Sequence, residues 1–80
     1  MHVAVELSLY PLADEFIPPI LGFIDRLRAR PGLAVVTNSM STQVSGEFDA
    51  VFDALRFEIG RSFSDSRRAV FVMKVLGGGD

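Results

Sequence analysis

The hydrophobic period of this chain switches four times, and the order of the switches restricts the fold more than any other feature. His2 to Tyr10 alternates strictly, with Val3, Val5, Leu7 and Leu9 on one side and His2, Ala4, Glu6, Ser8 and Tyr10 on the other. That is a strand with one buried face, and Pro11 is expected to end it. Ile17, Ile20, Leu21, Ile24 and Leu27 then follow helical spacing. Pro18 and Pro19 are tolerated in a first turn, where their missing N–H groups would be unpaired anyway. Arg26, Arg28 and Arg30 collect near the end, where the helix dipole favours cations, and Pro31-Gly32 stops the helix. Leu33 to Asn38 is a short strand rich in β-branched residues, with a turn expected at Asn38-Ser39. Met40 to Ser45 alternates again, Met40, Thr42 and Val44 opposite Ser41, Gln43 and Ser45, and Gly46 is expected to break it.

Glu47 and Asp49 are acids suited to the positive end of a second helix. Its stripe is Phe48, Val51, Phe52, Leu55 and Ile59, with Gly60 as the expected terminator. Arg61 to Arg67 reads as a polar loop, Ala69 to Leu76 as a final strand that is apolar on both sides. Strand, helix, strand, strand, helix, strand predicts an α+β, ferredoxin-like βαββαβ sandwich: a four-stranded antiparallel sheet with both helices on one face. One domain over residues 1–76 is expected, with 77–80 as a flexible tail.

The other sheet face is then open, and its residues bear on function. Burying Val3, Val5, Leu7 and Leu9 under the helices leaves Ala4, Glu6, Ser8 and Tyr10 outside. In the last strand either parity puts apolar side chains outside; if Phe71, Met73 and Val75 pack inward, Val70, Val72 and Lys74 point out. Exposed apolar patches usually mark interaction sites. Phe23 and Phe57 fall off the two helix stripes, and either widen the core or face a partner.

Composition narrows the chemistry. An 80-residue chain buries a modest core, and self-association is a common compensation. There is no cysteine and one histidine, which removes disulfides, thiolate metal sites and thiol catalysis. No serine sits in a nucleophile elbow. Val44-Ser45-Gly46 bears a faint likeness to a phosphate loop, but it precedes the second helix and has no arginine near it. The formal net charge of −2, without a Lys/Arg run, excludes a phosphate-backbone partner, and the strands lack the stacked aromatics of RNA-binding sheets. No apolar stretch reaches the ~18–20 residues a membrane span requires, and no leader pattern is visible, so a cytoplasmic protein without membrane or nucleic-acid partners is expected.

Tyr10-Pro11-Leu12, the run Met40-Ser41-Thr42-Gln43-Val44-Ser45-Gly46-Glu47, the helix residues Asp49, Val51 and Leu55, and the strand end Val72-Met73-Lys74-Val75 together resemble the small thiamine-binding domain family, the thiamine/hydroxymethylpyrimidine-binding proteins of ferredoxin-like fold. The likeness covers nearly the whole chain. It departs at Gly77-Gly78-Gly79, where family members continue with an acidic and a basic residue. The resemblance implies homodimers or homotetramers built sheet to sheet, and binding of thiamine or its pyrimidine moiety in some members.

The residue types for such a ligand are present. A carboxylate pairs with an aminopyrimidine, an aromatic face holds a cation, and hydroxyls complete the hydrogen bonds. The candidate ligand-binding residues are Glu6, Ser8, Tyr10, Ser41, Thr42, Gln43 and Ser45. Each also has an ordinary structural role: Glu6 as a salt-bridge partner of Lys74 or of another subunit, Ser41 and Thr42 as strand residues of good β propensity. The expected function is therefore a non-catalytic small-molecule-binding domain that self-associates, with a regulatory or structural assembly domain as the alternative. No catalytic residue, metal site or resident cofactor is expected.

Overall fold

The computed structural model describes residues 1–65 and 68–78. The elements are β1 (His2–Pro11), α1 (Ile17–Arg28), β2 (Ala34–Thr37), β3 (Thr42–Glu47), α2 (Phe48–Asp65) and β4 (Ala69–Gly77). The sheet is antiparallel in the order β2-β3-β1-β4, so β1 and β3 are the central pair. This is the ferredoxin-like α+β fold expected from the periodicities.

The ladder fixes which side chains share a face. Val3, Val5, Leu7 and Leu9 of β1 are buried beneath the helices together with Val44 of β3. Glu6 lies opposite Gln43 on one side and Lys74 on the other, and Ala4 opposite Ser45 and Leu76. Phe71, Met73 and Val75 stand opposite Leu9, Leu7 and Val5, and thus face the helix side. Val70, Val72, Lys74 and Leu76 face the open side with Tyr10, Ser8, Glu6 and Ala4.

Several local expectations are corrected. The buried face of α1 centres on Phe23 and Leu27, with Ile20 and Ile24 half-buried, while Ile17 and Leu21 are exposed. Phe23 belongs to the core because β4 brings Phe71 to it, with ring centroids 5.0 Å apart. Phe57 stays exposed, its ring 5.2 Å from the Arg30 guanidinium carbon. β3 starts at Thr42 because the N–H groups of Met40 and Ser41 are drawn to Asn38 Oδ1, at 2.7 and 2.9 Å. This Asx turn also closes the expected Asn38-Ser39 corner.

Gly46 continues β3 opposite Val3, where a Cβ would stand 3.0 Å from the Gly32 carbonyl oxygen. Gly32 itself, after α1, has φ 82°, a conformation that favours glycine. Glu47 ends β3 and takes the Met1 amine at 2.9 Å. Helix α2 does not stop at Gly60. Its last turn is held by Ser62, which accepts from Arg26, and by Phe63, edge-on to Phe71 at 5.6 Å. The predicted polar loop thus shrinks: residues 61–65 are helical, and Ser66 and Arg67 lie outside the described residues. Of the predicted tail, Gly77 closes β4, and Gly79 and Asp80 lie outside the described residues.

The helices are joined by a polar clamp that hydrophobic periodicity did not announce. Glu58 sits on the buried face of α2 at 6% side-chain exposure. Its Oε1 accepts from Arg26 Nε at 2.7 Å and its Oε2 from Arg30 Nε at 3.0 Å. Burying a carboxylate is costly unless it is paired and hydrogen-bonded, and here both oxygens are.

Candidate functional site

Five of the seven candidate residues lie at the Asn38–Ser41 end of the sheet, four around the open face and one on the helix side. On the open face, Glu6, Ser8 and Tyr10 stand in a column along β1, two residues apart and therefore on one side of the strand. The turn residue Ser41 folds over this column and donates Oγ to Glu6 Oε2 at 3.3 Å. Ser8 Oγ donates to the Met40 carbonyl at 3.3 Å, tying the turn to the strand. Lys74 Nζ approaches Glu6 Oε1 to 3.8 Å, with its own side chain 83% exposed. Together with Asn38, Ser39, Met40 and Val72 these residues line a hollow of about 450 Å³.

Thr42 does not join them. It lies opposite Leu7 and is buried on the helix side of the sheet, because β3 turns Thr42 and Val44 inward together. There it lines a second, mainly apolar cavity of about 500 Å³ between the end of β1 and the first half of α1. Its walls include Leu7, Leu9, Ile20, Phe23 and Ile24, and Ser8, Tyr10 and the 38–41 turn form a wall common to both hollows. Gln43 and Ser45 share the open face with Glu6 but line neither space. Of the candidate residues between 41 and 45, Ser41 alone thus joins the column of β1.

Sequence reasoning missed the apolar cavity and the part played by Asn38, Ser39 and Met40. The signal for the turn was in view: an Asn-Ser corner between two strands next to the central strand carrying Glu6. The signal for the cavity was weaker, since it depends on Phe23 belonging to the buried face of α1. Tyr10, 54% exposed, and Met40, Leu12 and Phe16, all exposed, frame the region. Among the described residues, no group of three or more His, Asp or Glu side chains is placed to hold a metal ion, and no helix is long and apolar enough to cross a membrane.

The element order, the ladder and the helix layer define a small ferredoxin-like α+β domain with a polar hollow at one end of its open face. The chain belongs to the YKOF-related family, whose model matches residues 2–73. Comparison with curated proteins finds no match. Among solved structures, a hypothetical protein of Methanocaldococcus jannascii superposes with a TM-score of 0.83 at 25% identity, over 99% of this chain and 82% of that one. A protein of Streptococcus pneumoniae gives 0.79 at 20% identity, over 98% and 88%. A candidate thiamine biosynthesis/salvage protein of Thermotoga maritima gives 0.71 at 19% identity, over 94% and 82%. At these identities the likeness to the last two concerns the fold.

Proposed function

We propose that the chain is a non-catalytic binding domain for an aminopyrimidine, of which thiamine and its hydroxymethylpyrimidine part are the natural representatives. The observation that carries this reading is the Glu6 carboxylate, held by Ser41 on a central strand and facing a hollow of about 450 Å³. That volume falls within the ~300–1,000 Å³ usual for small-molecule sites. Glu6 accepts hydrogen bonds from the exocyclic amine and a protonated ring nitrogen. Tyr10 covers the second ring, where a thiazolium cation gains about 0.5–2 kcal/mol from an aromatic face. The Lys74 contact is long and exposed, and such surface pairs are weak enough for a ligand amine to replace. The Thermotoga maritima relative named for thiamine biosynthesis or salvage supports the ligand class. No side chain is asked to act as nucleophile or base in this reading.

Calorimetry with thiamine and hydroxymethylpyrimidine tests it. The parent binds at least one of them, and Glu6→Gln binds about 10–150-fold more weakly, the equivalent of losing a charged hydrogen bond worth about 1.5–3 kcal/mol. Equal binding by the variant would make Glu6 a structural residue. No binding at millimolar ligand would leave the second reading, an assembly domain without a small ligand.

That second reading shares one feature with the first. The open face carries Val36, Val70, Val72 and Leu76, all exposed, and stacking two open faces would cover them. Light scattering at micromolar concentration is expected to show at least a dimer. Val36→Lys is expected to abolish the stacking, because an unpaired ammonium in an apolar contact is costly. A parent that is a folded monomer under these conditions would remove self-association from both readings.

A further inference from the structure

Nothing inside this chain requires residue 60 to be a glycine. It lies within α2, Phe48–Asp65, where only proline is a poorer helix former. Positive φ among the described glycines occurs at Gly32, Gly46 and Gly78, not here. A Cβ at Gly60 would meet nothing within 4 Å, so no close packing excludes a side chain. What the missing side chain does is leave a notch in the outer surface of the helix. The notch belongs to an open hollow of about 830 Å³ whose lining includes Arg56, Phe57, Arg61 and Ser64. That is the scale of small-molecule sites, roughly 300–1,000 Å³.

The side chains around the notch say what fits it. Phe57, one turn before Gly60, is 61% exposed. The Arg30 guanidinium stands over its ring at 5.2 Å. Glu58, which holds Arg30, lies about 100° round the helix from Phe57, and Gly60 about 60° round the other way. The ring thus has Arg30 on its α1 side and the notch on the other, where it makes no aromatic contact among the described residues. A flat ring laid on the helix backbone at Gly60 would stack there. The charges set the rest. Arg30 is engaged by Glu58, and Arg61 lies 3.7 Å from Asp65. Arg56, one turn before Gly60, makes no ion pair among the described residues. Asp53, one turn before Phe57, also lines the hollow and opposes a second negative charge. Ser64 closes the far end, its Oγ donating to the Gly60 carbonyl at 3.2 Å. One ring and one negative charge complement this surface.

We propose that the Gly60 notch is a binding site for a small aromatic carboxylate, its ring against Phe57 and its carboxylate on Arg56. The site lies on the outer surface of the helix layer. It depends neither on Glu6 nor on the open face of the sheet.

Titration of the full chain with phenylacetate, followed by amide NMR shifts, tests this. Saturable shifts centred on Arg56, Phe57, Gly60 and Ser64 are expected, with a Kd on the order of millimolar for so small a ligand on an open surface. Acetate carries the charge without the ring, and phenethylamine carries the ring with the opposite charge. Both are expected to bind at least ~10-fold more weakly, the equivalent of one step on the affinity scale. Gly60→Leu fills the notch with a better helix former, so it is expected to keep or raise the melting temperature while abolishing the shifts. Arg56→Gln is expected to weaken phenylacetate by about 3–5-fold, as for an exposed ion pair, and to leave phenethylamine no weaker. Absence of saturable shifts in the parent would overturn the proposal. So would equal binding of phenylacetate by Gly60→Leu, or equal binding of acetate or phenethylamine by the parent.

Discussion

Glu58→Ala is expected to lower the unfolding free energy by about 3 kcal/mol, read as a fall in the urea midpoint at constant slope. The variant leaves two guanidinium groups, Arg26 of α1 and Arg30 just after it, side by side at the α1–α2 seam without the α2 carboxylate that joins them. Removing one partner of a buried ion pair typically costs about 3–5 kcal/mol. The lower end applies because the Arg26 and Arg30 side chains are 22% and 33% exposed, and water screens what remains. Domains of this size rarely exceed a total of 5–15 kcal/mol, so the change is a large share of stability. The loss comes from the orphaned charges rather than from missing volume. A triple variant, Glu58→Leu with Arg26→Met and Arg30→Met, is therefore expected to recover most of it, as apolar replacement of a whole buried cluster is often neutral. A Glu58→Ala midpoint within experimental error of the parent would show that the clamp is fully screened and structurally idle.

That clamp also marks where sequence reading ran out. The strict alternation of β1 and the two helical stripes were enough for the element order, and the handedness of crossovers then gave the sheet with both helices on one face, because those features follow from period and chain connection. Period says nothing about a polar residue on a buried face. Glu58 lies one turn after Ala54 and Leu55 and is buried with them, and only the arrival of two arginines, from α1 and the residues just after it, allows it. Gly60 failed as a stop signal for a related reason: the contacts of Ser62 and Phe63 outweigh a glycine's weak helix propensity. At the candidate site, Glu6, Ser8 and Tyr10 were legible because a strand's two-residue period places them side by side. Thr42 was legible only in part: its alternation with Ser41 was in view, but which of the two sides meets the helices depends on the register of β3 against β1, set where its turn ends. Asn38 decides that by taking the Met40 and Ser41 N–H groups.

The two phenylalanines that fall off the helical stripes give the sharpest contrast in expected effect. Phe23→Ala is expected to cost about 3–5 kcal/mol, as large-to-small changes at a filled core position do. Phe23 is 2% exposed, packs on Phe71 and forms part of the wall of the apolar cavity. Truncation would remove its own buried surface and merge the vacated space with that cavity, so the surroundings cannot collapse to close the gap. Phe57→Ala removes the same atoms from a ring that is 61% exposed and touches the Arg30 guanidinium at the surface. Exposed substitutions of this kind stay within about 0.5 kcal/mol, and the lost cation–π contact adds about 0.5–1 kcal/mol at such a site. Thermal and urea unfolding of both variants side by side measures the difference. Comparable losses for the two would mean that α1 presents another face to the sheet, and the cavity wall assigned to Phe23 would have to be abandoned with it.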